Sequence, residues 1–139
     1  MRWLFVLLAL AACNDLRAFE GAWHGARVGD NPVLAVGLAG DAQCDLVIDG
    51  IDTHGMRGHL TIPSLVDAPI VSAEGAEADA LSSMTFAGSP LRVYIAFADA
   101  TDGPLTVLVA LYDSRRIEVR VLRGGATPVY GIFALSERP

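Results

Sequence analysis

The stretch of residues 91–135 decides the fold, and it reads LRVYIAFADATDGPLTVLVALYDSRRIEVRVLRGGATPVYGIFAL. In its first segment, four apolar residues occupy every second position: Leu91, Val93, Ile95 and Phe97. The same period of two recurs in residues 105–112, 117–121 and 129–135. Because successive side chains of a β-strand point to opposite faces, this period predicts four strands.

Short clusters of turn-forming residues separate these segments, namely Asp102-Gly103-Pro104, Asp113-Ser114 and Gly124-Gly125. Glycine, proline, aspartate and serine each favour a tight reversal of the chain. Strands that follow one another through such short turns form an antiparallel meander.

Further apolar runs precede this region, at residues 19–28, 33–38, 44–51 and 56–62, and Pro63 ends the last of them. The total of about eight or nine strands predicts an all-β domain, either a small barrel or a two-sheet sandwich. A closed barrel would leave no strand edge exposed. Residues 72–89, rich in alanine and acidic residues, interrupt the alternation. We interpret them as an insertion between strands, with a functional lid as the alternative.

At the beginning of the chain, Arg2 precedes an unbroken apolar run at residues 3–12. This order of a basic and an apolar region is typical of a secretory signal peptide. The run is too short for a membrane-spanning helix, which needs roughly 20 apolar residues. The alternative interpretation is a core element of a cytosolic domain.

The run ends in Leu10-Ala11-Ala12-Cys13, which resembles the lipobox of bacterial lipoproteins. The resemblance implies cleavage between Ala12 and Cys13, and a diacylglyceryl thioether and an acylated amine on Cys13. Several acyl chains on one residue suffice to anchor a protein to a bilayer. Since Asn14 rather than aspartate follows the cysteine, the resemblance also implies an outer-membrane location facing the periplasm.

These interpretations divide the chain into a signal peptide at residues 1–12, a lipidated tether at 13–18 and a single all-β domain at 19–139. Gly21-Ala22-Trp23, near the start of the first strand, is similar to the Gly-x-Trp signature of lipocalins and other calycins. The meander barrels of that family close around this tryptophan. The resemblance implies that Trp23 and Arg138 form a barrel-closing pair, with the guanidinium stacked on the indole.

The charge balance excludes one class of partner. The chain has a net charge of −6 and no lysine, and its isoelectric point is about 4.8. Nucleic-acid binding depends on clustered cations, so nucleic acid is not expected as a partner. For the same reason the acyl chains, rather than attraction to anionic headgroups, would hold the protein on a membrane.

Few side chains suit catalysis. Cys44 is the second of two cysteines, so assigning Cys13 to lipid leaves it without a disulfide partner. We expect a small strand residue there, with a reactive thiol as the alternative. The sequence contains none of the common hydrolase, nucleotide-binding or zinc-protease motifs. We therefore expect no enzyme, no catalytic residue and no cofactor.

Two groups of polar residues are candidates for metal binding or for binding an anionic partner. One hairpin carries Asp49, Asp52, His54 and His59, and carboxylates with imidazoles are metal ligands. Their spacing matches no metal motif, so we expect a solvated polar hairpin without metal.

The second grouping comprises four arginines with Glu118 among them: Arg115, Arg116, Arg120 and Arg123. We expect a salt-bridged strand face, with a binding patch for an anionic partner as the alternative.

Two functions remain open. The first is a non-catalytic structural or interaction module of the bacterial cell envelope, which binds another envelope protein. It predicts an exposed apolar or mixed-charge patch. The second is a calycin-like carrier of a small apolar ligand, which predicts an interior larger than its own side chains can fill. In both, the acylated Cys13 attaches the protein to the lipid bilayer.

Overall fold

The computed structural model describes residues 15–29, 36–72, 90–112 and 114–139. Eight strands in these residues form a closed antiparallel barrel in chain order. They are β1 (Gly21–Ala26), β2 (Gln43–Ile51), β3 (Met56–Ile62), β4 (Val66–Ser72), β5 (Arg92–Ala100), β6 (Gly103–Tyr112), β7 (Arg116–Arg123) and β8 (Val129–Glu137). A 3-10 helix, Leu16–Phe19, precedes β1. The all-β meander is confirmed, and of the two architectures the barrel is the one formed.

Several predicted features fall outside the described residues. They are the signal peptide, Cys13 and nearly all of the insertion at 72–89. The apolar run at 33–38 is described only from residue 36, and there Val36 forms an isolated β-bridge with Tyr130 instead of belonging to a named strand.

The barrel interior is apolar. Each of the eight strands contributes inward side chains to one buried cluster, whose members include Trp23, Leu46, Leu60, Ile70, Ala96, Val107, Val119 and Phe133. One face of each strand therefore lines the core, as the alternation in the sequence indicates.

Strand β4 corrects the sequence analysis, which assigned no strand after Pro63. The chain reverses within three residues, since the Leu65 amide donates to the Ile62 carbonyl at 3.0 Å and Ser64 has a φ of 68°. From Val66 onward every second residue is buried. Pro69, which lacks an amide donor, lies on the outer face of this strand.

Strand β5 is apolar on both faces. Tyr94, Ala96 and Ala98 belong to the interior cluster, whereas Phe97 lies on the outer wall with 56% of its surface exposed. Because both faces carry apolar side chains, the alternation of residues 91–98 predicts the strand but not which face points inward.

Candidate functional site

The helix end of the barrel is the end that carries the 3-10 helix and the β2–β3 turn. Three contacts fix the helix there. The indole nitrogen of Trp23 donates to the Phe19 carbonyl at 2.9 Å, the Phe19 and Trp23 rings stack with centroids 5.8 Å apart, and Arg115 donates to the Ala18 carbonyl at 3.2 Å. The residues just before β1 are therefore held against the barrel by both ring packing and hydrogen bonds.

A cleft of about 460 Å³ opens at this end. Its lining comes from the helix, the β2–β3 hairpin and the end of β4: Arg17, Glu20, Gly50, Ile51, Asp52, His54, Gly55, Met56, Arg57, Val71 and Ser72. The volume lies within the range of about 300–1,000 Å³ typical of small-molecule sites. We call it the helix-end cleft.

A β-bulge shapes one wall of the helix-end cleft. The register between β2 and β3 shifts between Ile48 and Gly50, so that Gly50 lies opposite Arg57. A side chain at Gly50 would come within 3.0 Å of the Arg57 guanidinium. Glycine at this position therefore allows the guanidinium to lie directly against the backbone.

The cleft carries charges of both signs. In the described part of the chain, the side chains of Arg17, Glu20 and Arg57 have no hydrogen-bond or ion-pair partner. The Asp52 carboxylate accepts from the amides of His54 at 2.7 Å and Gly55 at 3.0 Å. These backbone hydrogen bonds lower the pKa of Asp52. The cleft thus brings together two guanidinium groups and the carboxyl groups of Glu20 and Asp52.

Strand β5 supports the hairpin that forms the cleft. The Tyr94 hydroxyl donates to the Asp52 carbonyl at 2.8 Å, and Arg92 donates to the Thr53 carbonyl at 3.1 Å. Burial raises the pKa of Tyr94 to about 12, so its hydroxyl remains a donor. On the other side, the Ser72 hydroxyl accepts from the Met56 amide at 2.7 Å.

The hairpin residues considered as metal ligands do not converge. Asp52 caps its own turn, while His59 lies on β3 with a nitrogen 2.6 Å from the Asp67 carboxylate of β4. No group of three or more candidate metal ligands occurs among residues 15–29, 36–72, 90–112 and 114–139. His24 is 41% exposed at its side chain and pairs with Asp45 at 2.8 Å.

The arginine grouping forms ion pairs. Arg120 donates to Glu118 at 2.5 Å within β7, and the Glu118 side chain is only 1% exposed. Arg115, in the turn before β7, pairs with Glu137 of β8 at 2.8 Å. Arg115 and Arg120 are thus engaged in ion pairs, one of them within a single strand rather than across strands.

Trp23 and Arg138 both lie where β1 meets β8. Trp23 pairs in register with Glu137, and the Arg138 amide donates to the Ala22 carbonyl at 2.8 Å. The Arg138 guanidinium is 3.3 Å from the Asp45 carboxylate. Its stacking on the indole stays a prediction.

Cys44 is fully buried. Burial, with a smaller effect from Asp45, raises the pKa of its thiol far above the ordinary value. A thiol in this environment remains protonated, which favours the interpretation of a small core residue over that of a reactive thiol.

An apolar row crosses the outer wall of the barrel. Val71, Phe97, Thr106 and Leu122 occupy successive register positions on β4, β5, β6 and β7. Of these, Val71 is 66%, Phe97 56% and Leu122 37% exposed. We call these four residues the outer row. The sequence does not reveal the outer row, because the pairing of strands decides which side chains become neighbours.

A second cleft, of about 300 Å³, lies at the opposite end and includes Leu38, Ala42, Pro63 and Leu65 in its lining. Among the described residues, no helix has the length and apolar character needed to cross a membrane.

Comparisons of the chain with protein-family models, curated proteins and solved structures gave no significant match.

Proposed function

We propose that this protein is a lipid-anchored, non-catalytic interaction module of the bacterial cell envelope, and that its outer row binds another envelope protein. The observation that carries the proposal is the exposure of Val71 and Phe97, which are direct cross-strand neighbours. Contiguous apolar side chains on a protein surface are typical of interaction sites. Aromatic residues such as Phe97 contribute strongly at the centre of such interfaces.

The anchor in this proposal is Cys13, placed in an outer membrane and facing the periplasm. The lipobox-like residues 10–13 support it. The short distance in sequence between Cys13 and the 3-10 helix supports a domain held close to the bilayer.

The carrier of a small apolar ligand is the alternative, and the eight-stranded meander favours it as a scaffold. The packing favours the interaction module instead. Inward side chains of all eight strands form one cluster, and both described clefts lie at the ends of the barrel.

A photo-crosslinking amino acid at Phe97 tests the outer row in the native membrane. We expect a discrete crosslinked product containing one partner protein. The matched control is Val47, an outward residue on β2 that is 40% exposed. Equal crosslinking from both positions, or from neither, would contradict a specific site. The variant Phe97→Ser, compared with Val47→Ser, should reduce recovery of the same partner without changing the folded domain.

Mass spectrometry of the protein extracted from its membrane tests the anchor. We expect acyl mass on a chain that begins at Cys13, recovered with the outer-membrane fraction. The variant Cys13→Ala should accumulate as the uncleaved precursor; normal processing of this variant would contradict the lipobox assignment.

A further inference from the structure

We propose that the helix-end cleft binds the headgroup of a zwitterionic phospholipid, with Arg17 and Arg57 contacting the phosphate and Glu20 and Asp52 contacting the ammonium. The inference rests on the proposed anchor, because it depends on the direction in which the barrel faces the bilayer.

The position of the anchor determines that direction. The two residue steps from Cys13 to Asp15 span at most about 7 Å, and Asp15 caps the 3-10 helix by accepting from the Arg17 amide at 3.1 Å. The helix itself is fixed to the barrel through Phe19 and Trp23. Acyl chains on Cys13 therefore bring the helix end, rather than the opposite end, to the membrane surface.

The same segment supplies part of the cleft. Arg17 lies within the 3-10 helix and Glu20 follows it directly. Both residues are close to Cys13 in the sequence, so the proposed anchor would place their side chains near the headgroups of the bilayer.

Charge complementarity identifies the headgroup. The guanidinium groups of Arg17 and Arg57 form no hydrogen bond or ion pair with another described residue, although the charge of Arg57 acts on nearby Asp52. A guanidinium binds phosphate oxygens well because several N–H donors project in one plane. Gly50 leaves the Arg57 guanidinium accessible against the backbone. Glu20 is free as well, and Asp52 is kept ionised by the amides of its turn. Two cations with two carboxylates match a headgroup that carries both charges, whereas an acidic protein disfavours anionic lipids.

The test uses the full acylated chain in a non-ionic detergent and a ligand-observed NMR titration. The probe is glycerophosphoethanolamine, a headgroup without acyl chains. Glycerophosphoglycerol and inorganic phosphate serve as comparison ligands. We expect the zwitterionic probe to bind more tightly than either.

Three variants locate the site. Arg57→Gln should weaken binding of glycerophosphoethanolamine by about tenfold or more, as expected for the loss of a charge-assisted contact. Glu20→Gln should reduce the preference over glycerophosphoglycerol, because only Asp52 then contacts the ammonium. Arg116→Gln is the matched control, because Arg116 is exposed at the same end and is absent from the cleft lining. Circular dichroism verifies that each variant is folded.

Equal affinity for the zwitterionic and anionic probes overturns the proposal, as does Arg57→Gln binding as tightly as Arg116→Gln. Inorganic phosphate binding as tightly as the full headgroup also overturns it. Acyl mass on Cys13 without headgroup binding rejects this inference alone. Headgroup binding by a chain without acyl mass rejects the anchor alone.

Discussion

Trp23 contacts Phe19 in two ways. Its indole nitrogen donates to the Phe19 carbonyl at 2.9 Å, and its ring stacks on that of Phe19 with centroids 5.8 Å apart. Both side chains are buried. Because the carbonyl belongs to the 3-10 helix, one side chain of β1 links the helix to the barrel core. The helix end of the barrel thus depends on Trp23.

Replacement of Trp23 by phenylalanine should destabilise the domain. The variant keeps an aromatic ring but removes the donor to the Phe19 carbonyl and part of the buried volume. We expect the free energy of unfolding to fall by about 2 to 4 kcal/mol. Urea unfolding followed by circular dichroism measures it. In the control, Phe97→Leu on the outer wall, the change should stay within about 0.5 kcal/mol. Equal stability of Trp23→Phe and wild type would contradict the role of this contact.

Two glycines on inward faces of the barrel should respond differently to alanine. A Cβ atom at Gly58 would lie 2.0 Å from the Val47 backbone oxygen, whereas one at Gly131 would lie 2.2 Å from the end of the Leu38 side chain. The side chain can rotate away, but the strand backbone cannot move without disturbing its ladder. We expect Gly58→Ala to cost about 3 kcal/mol or more and Gly131→Ala about 1 kcal/mol. Thermal unfolding of the two variants tests the order, and a greater loss for Gly131→Ala would show that the Leu38 side chain cannot adapt.

Cys44 should be unreactive in the folded protein. Its thiol is fully buried and its pKa is raised far above the ordinary value, so little thiolate forms even at pH 9. Ellman's reagent added to the mature protein should therefore report no free thiol before unfolding. After unfolding it should report one thiol per chain if Cys13 carries a thioether. Two thiols after unfolding would contradict the lipid anchor. In a chain with a single thiol, reaction before unfolding would contradict the burial of Cys44.

Asp52 should contribute to the acid sensitivity of the fold. The amides of His54 and Gly55 lower the pKa of this carboxyl in the folded state. Its stabilising effect is therefore fully present above about pH 4 and disappears as the pH falls through the lowered pKa. Asp52→Asn keeps an acceptor for the amides but removes the titration. Unfolding at pH 7 and pH 3 should show a smaller pH dependence in the variant; an unchanged dependence would mean that other carboxylates account for it.

The sequence alone predicts much of the barrel, because period-two alternation and turn-forming residues are local signals. It fails at β4, where Pro69 and the nearby Pro63 argue against a strand. Val66–Ser72 is nevertheless a strand with alternating burial. Proline is tolerated at position 69 because the ladder to β5 begins only at Val71, so the missing amide of Pro69 costs no hydrogen bond to β5.

The helix-end cleft could not be predicted in the same way. Arg17 and Arg57 are 40 positions apart in the sequence, and they line one cleft because the barrel brings the 3-10 helix to the β2–β3 hairpin. The bulge before Gly50 adds a local irregularity that no periodic pattern reveals. Cys44, in contrast, is a strand residue as the sequence predicts, because it begins an apolar run.

The connectivity of the barrel has a consequence for how it folds. Seven of the ladders among the described strands join neighbours in the chain, and β1 meets β8 through the register pairs Trp23 with Glu137 and His24 with Ser136. Hairpins between neighbours can form early, whereas this last ladder must bring together nearly opposite ends of the domain. Until it does, the sheet has two open edges. The interval before ring closure is therefore when newly synthesised chains are most prone to pair with one another and aggregate.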